Sequence, residues 1–72
     1  LIWYLLSKEK LYSDELGSYI SFGIKVHDLS NHETKYISDV SVDKALVKKI
    51  CRRCTLHQLH PIHLYDVIED NI

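Results

Sequence analysis

From Ser18 to His27 the apolar residues Ile20, Phe22, Ile24 and Val26 alternate with Tyr19, Ser21, Gly23 and Lys25. A period of two marks a strand with one buried face. Upstream, Ile2 to Lys8 packs aromatic and branched residues into a strand-like length, and Ser13-Asp14-Glu15-Leu16-Gly17 supplies the residues that favour a turn. Downstream, Asp28-Leu29-Ser30-Asn31 is a second turn signal, and His32 to Ser38, with Thr34, Tyr36 and Ile37, reads as a short strand partly exposed to water. The three segments predict an antiparallel meander.

The period then changes. After Asp39-Val40-Ser41, Ser41 is placed to act as an N-cap, and Asp43 to favour the positive end of the helix dipole. At about 100° per residue, Leu46, Val47, Ile50, Cys51 and Cys54 share one arc of about 140°, with Lys44, Lys48, Lys49, Arg52 and Arg53 on the other side. This is an amphipathic helix with a basic outer face. Thr55 to His60 has no clean period, and Pro61 suits the first position of a second helix, where its missing N–H costs nothing. That helix is expected to run to about Asp70, turning Leu64, Tyr65 and Ile68 inward with Val67 beside them.

Strands first and helices second predict an α+β fold, a small three-stranded antiparallel sheet followed by two helices packed on one face. The expected core is Ile20, Phe22, Ile24, Val26, Leu46, Ile50, Leu64 and Ile68. Two short helices cover only one side of such a sheet. The other side, where Trp3 and Tyr19 are candidates, is then left for a partner protein or a second copy to cover.

The 72 residues suit one small domain, spanning 1–72, with limited burial to stabilise it. The apolar opening Leu1 to Leu6 is far shorter than the ~20 residues needed to cross a bilayer and has no basic leader, so a soluble, cytoplasmic protein is expected. The formal net charge of −1 lacks the basic excess of a dedicated nucleic-acid binder. It hides an asymmetry: residues 41–58 hold Lys44, Lys48, Lys49, Arg52 and Arg53 against Asp43 alone, so one basic segment sits in an acidic remainder. Lys44, Lys48 and Arg52 are the candidate contact residues for an acidic protein surface.

Cys51, Cys54, His57, His60 and His63 recur every third residue, and thiolates with imidazoles are what a tetrahedral zinc site uses. On a helix, steps of three rotate by about 60° each, so Cys51, Cys54 and His57 spread around the cylinder instead of converging. The flanking Arg52 and Arg53 would favour a thiolate, but a redox cysteine belongs at a helix N-terminus, and Cys51 lies well inside the helix. Two cysteines are also too few for the disulfide framework of a small secreted domain. Buried, reduced cysteines and solvated histidines are the simpler expectation. His63 and Asp66 form a common surface spacing, and with only Gly17 and Gly23 there is no phosphate-cradling loop. No catalytic residue, cofactor or small-molecule substrate is implied.

The run Pro61 to Asp70, with Phe22-Gly23-Ile24 and Ile37-Ser38-Asp39-Val40-Ser41, resembles a family of short uncharacterised proteins of clostridia-type Gram-positive bacteria. The likeness spans most of the chain and implies a bacterial, intracellular domain of unknown function. It implies no activity and no catalytic residue. The sequence therefore points to a non-enzymatic module that works by contact with another protein or with itself. The alternative is a small zinc-binding or thiol-regulated protein using Cys51, Cys54 and one or two of His57, His60 and His63; a weak nucleic-acid binder acting through the basic helix face stands third.

Overall fold

The computed structural model describes all 72 residues, Leu1–Ile72. Three antiparallel strands form one open sheet: β1 (Ile2–Ser13), β2 (Gly17–Asp28) and β3 (Glu33–Ser41), in the order β1-β2-β3. The helix α1 (Lys44–Leu56) follows, then a single 3-10 turn (Pro61–His63) that leads into α2 (Leu64–Asn71). This is the expected α+β order of three strands and two helices.

β1 and β2 pair without a slip from Ile2↔Asp28 to Ser13↔Gly17. Their connection closes at Gly17, whose φ of +69° a residue with a Cβ adopts only at a cost, while the Ser13 hydroxyl accepts the Leu16 N–H at 3.0 Å. The next turn uses two short side chains for the same purpose. Asp28 accepts from the Ser30 N–H and Asn31 from the Glu33 N–H, the local bonds that make these residues turn formers. β3 pairs regularly from Glu33 to Ile37 and then slips, so that Ser38, Asp39 and Val40 bulge opposite Gly23 before Ser41 pairs with Phe22. Asp39 takes a φ of +53° in this bulge.

Even-numbered residues of β1 and β2 face the helices. Tyr4, Phe22, Ile24 and Val26 meet Val47, Ile50, Cys51 and Cys54 of α1 and Leu64 and Ile68 of α2 in one core, with Leu6, Ile37 and Leu46 at its margin. Both cysteines thus serve as small apolar residues on the buried arc, where the helical period had put them.

Five expectations are corrected. β1 does not stop at Lys8 but runs to Ser13, because its pairing with β2 continues beyond the apolar stretch. That extension makes the β1–β2 hairpin longer than the helical layer beneath it, in a molecule 40 Å long and 17 Å thick. Ile20 therefore lies beyond the helices and is 42% exposed, although it shares the alternation of Phe22 and Ile24. Leu46 is only half-buried, and Tyr65 points to solvent. Ser41 ends β3 instead of capping α1.

The cap is Asp43, whose carboxylate accepts the Leu46 N–H at 3.2 Å, while Ser41 accepts the Asp43 N–H at 3.1 Å and fixes the approach. Asp43→Ala should cost about 1 kcal/mol, read as a lower urea midpoint at unchanged slope. Ser41→Ala, which removes only the supporting bond, should cost less.

Candidate functional site

β1 is an outer strand, and the end of α1 closes part of its free edge. The backbone N–H groups of Ile2 and Tyr4 point away from β2 and would be left bare without partners. Thr55 accepts the Tyr4 N–H at 3.0 Å and donates back to the Tyr4 carbonyl at 3.4 Å. Gln58 accepts the Ile2 N–H at 2.8 Å and donates to the Ile2 carbonyl at 3.0 Å and the Thr55 carbonyl at 2.7 Å. Gln58 reaches this position because the chain turns sharply after α1, where its φ is +48°. In the sequence the segment Thr55 to His60 has no period, and the structure gives the reason: Thr55 and Gln58 are spent on the strand edge and His60 on the turn that follows.

Between this edge and the outer side of α1 lies a groove of about 910 Å³. Trp3, Leu5, Leu6, Ala45 and Leu56 supply its apolar surface, and Lys48, Lys49, Arg52 and Arg53 its cations; no carboxylate lines it. Of the candidate contact residues, Lys48 and Arg52 are brought together here, joined by Lys49 and Arg53. Lys44 stands at the first residue of α1, outside the groove but on the same helix. Trp3, the expected open-face aromatic, borders the groove and is 44% exposed.

The sheet's other face carries a polar strap that the sequence did not announce. Glu9 on β1 reaches across β2 and accepts from the Ser38 hydroxyl at 2.9 and 3.1 Å and from the Asp39 N–H at 2.9 Å. Asp39 in turn accepts from Tyr19 at 2.9 Å and Ser21 at 2.5 Å, so the bulge is tied to both other strands. Tyr19, half-buried, is held in this network and is not a free aromatic surface. The Tyr36 hydroxyl bond, then the Asp39 N–H, hold the Glu9 carboxyl below its ordinary value.

A carboxyl whose folded value is lowered stabilises the fold above its unfolded value, about 4.3, and that contribution is lost as pH falls through the lower folded value. Glu9→Gln should lower the urea midpoint near pH 7. The gap to the parent protein should close as the pH is taken below about 4, since the parent then loses the same charge-assisted bonds.

The thiol and imidazole groups do not assemble into a centre. Cys51 and Cys54 point into the core, His57 ends α1, and His60 uses its Nδ1 to accept the Ile62 N–H at 3.3 Å. His60 and His63 meet edge to face, with ring centroids 6.5 Å apart. No group of three or more His, Cys, Asp or Glu side chains is arranged to hold a metal ion. The residues of the zinc alternative are thus not brought together: the cysteines pack in the core and His60 caps the turn that follows. Burial, then the neighbouring Cys54, pushes the Cys51 thiol up to about 11, and burial also raises Cys54. Both stay protonated near neutral pH in the free chain, which makes them weak redox nucleophiles. Tyr4, pushed up to about 12 by burial first, donates its hydroxyl to the Leu59 carbonyl and anchors the same loop as Thr55 and Gln58.

Set against known protein families, residues 1–72 match the Family of unknown function (DUF6514) over the whole chain. The chain belongs to this family. No curated protein and no solved structure matches it. The DUF6514 description carries no activity. No helix of this DUF6514 protein is long and apolar enough to cross a membrane.

Proposed function

We propose that this is a non-enzymatic bacterial, intracellular module whose groove beside β1 binds an acidic, partly apolar segment of a partner protein. The supporting observation is the groove's composition. Four cations stand over seven apolar residues with no carboxylate among them, in a chain whose net charge is −1. An acidic segment with apolar residues would gain charge complementarity along the rim and bury apolar area on the floor. Lys44 extends the positive field along α1.

Contact without chemistry fits the remaining groups, since the thiols are buried and protonated and the Glu9 and Asp39 carboxylates are held by hydrogen bonds within the sheet. The test is capture from nuclease-treated lysate of the source cells with the parent protein and with Lys48→Glu combined with Arg52→Glu. The parent should retain a stoichiometric partner with an acidic segment, and the double variant should bind it at least about tenfold more weakly, or about 1.4 kcal/mol. Both side chains are exposed, so the variant should keep the parent's circular dichroism. Equal retention by the two proteins, or capture that depends on nucleic acid, would overturn the reading.

A further inference from the structure

The end of α1 closes only the first part of the β1 edge. Ile2 and Tyr4 are met by Gln58 and Thr55, and because β1 and β2 pair without a slip, the same outward direction recurs at every second residue. The N–H and carbonyl groups of Leu6, Lys8 and Lys10 thus face away from β2 with no partner in the chain. They continue the line of the groove, and the side chains of Lys8 and Lys10 stand exposed on the sheet's helix side.

We infer that this free stretch accepts an added antiparallel strand from an acidic segment of a partner protein, with carboxylates at alternate positions set against Lys8 and Lys10. The inference rests on the groove reading for the sign of the partner and adds its conformation. Main-chain bonds to Leu6, Lys8 and Lys10 would supply affinity, and opposite charges across the new pair would supply register and selectivity.

A second copy of this chain is the wrong occupant. Antiparallel pairing of two β1 edges about Lys8 would set Lys8 against its own copy, and like charges placed opposite each other destabilise a pair. The same lysines that guard the edge against self-pairing select an acidic strand.

The test uses a short end-capped peptide alternating glutamate with valine, its lysine–valine counterpart, and the glutamate peptide N-methylated at alternate residues, each titrated into the isotope-labelled full chain. The glutamate peptide should slow amide exchange at Leu6, Lys8 and Lys10 by about tenfold or more. The N-methylated and lysine peptides should not, and Lys8→Glu with Lys10→Glu should reverse the preference between the two charges. Binding that shifts only the Lys48, Arg52 and Leu56 signals, with edge amides exchanging as before, would overturn strand addition and leave the groove reading standing. No binding by the glutamate peptide, or equal binding by the lysine peptide, would overturn both. Edge protection that grows with protein concentration in the absence of peptide would identify a second copy and overturn the inference.

Discussion

Ile24→Ala is expected to destabilise the fold by about 3 to 4 kcal/mol, within the range for truncating a buried isoleucine. Ile24 has no exposed surface, lies on the central strand, and has Leu6 and Ile37 as its cross-strand neighbours on the same face. Val47 and Ile50, equally buried, belong to the same core, so no single element can move in to fill the space. A domain of this size has a net stability of about 4 to 11 kcal/mol, so the variant would lose a large share of it. Ile20→Ala is the control, because Ile20 has the same chemistry, strand and alternation but lies past the end of the helical layer. It should cost under about 1 kcal/mol. Urea unfolding followed by circular dichroism reads both. Equal losses at the two positions would mean that the helices extend further along the hairpin than the structure places them.

That pair of residues shows how far the sequence could be read. Alternation determined which face of β2 turns inward, and it did so for Ile20 as well as for Ile24. It carries no information on how far along a strand the opposing layer extends. That boundary is set by the thirteen residues of α1 against the twelve of β1 and β2, given a helix rise of about 1.5 Å per residue and a strand rise of about 3.3 Å. The helical arc of Val47, Ile50, Cys51 and Cys54 was legible for the complementary reason: a period of 3.6 over three turns leaves little choice of buried face. β1 was cut short because Lys8, Glu9 and Lys10 interrupt its apolar run. Pairing in the structure is sustained there by the hairpin, not by burial.

The candidate site was half legible. A run of cations on one side of a helix can be read from spacing, and Lys48 and Arg52 are indeed in the groove with Lys49 and Arg53. What the spacing could not give was the apolar wall opposite, contributed by Trp3, Leu5 and Leu6 from the other end of the chain. Thr55 and Gln58 were missed because single polar side chains that satisfy an edge leave no periodic trace. Glu9 and Asp39 were missed because their partnership depends on a bulge, which is a change of register and not a pattern of residue types. The limits of the zinc spacing were legible as well, because steps of three spread side chains around a helix. Recurrence every third residue looks like a ligand set on paper, yet it places Cys51 and Cys54 on the buried side of α1 and leaves the histidines on caps and surface.

Gly23→Ala should cost about 2 to 3 kcal/mol and lower the melting temperature by roughly 10 to 20 °C in a domain of this length. Gly23 faces the side opposite to Ile24, where a Cβ would come within 2.5 Å of the Ile37 carbonyl oxygen and 2.6 Å of the Tyr36 hydroxyl. The tyrosine could swing aside; the carbonyl belongs to the β3 backbone and cannot yield without moving the strand. Two consequences separate this mechanism from a general loss of strand stability. Adding Tyr36→Ala should recover only part of the loss, because the backbone contact remains. The Gly23→Ala variant should also lose part of the acid dependence that Glu9 confers, since a displaced β3 carries Ser38 and Asp39 away from that carboxylate. Gly17→Ala offers the contrast: it meets no atom within 4 Å, and its cost of about 1 kcal/mol comes from the φ of +69° alone, with the acid dependence intact. If the two glycine variants proved alike in both melting temperature and acid dependence, the close approach of Tyr36 and β3 over Gly23 could not be what holds the third strand in place.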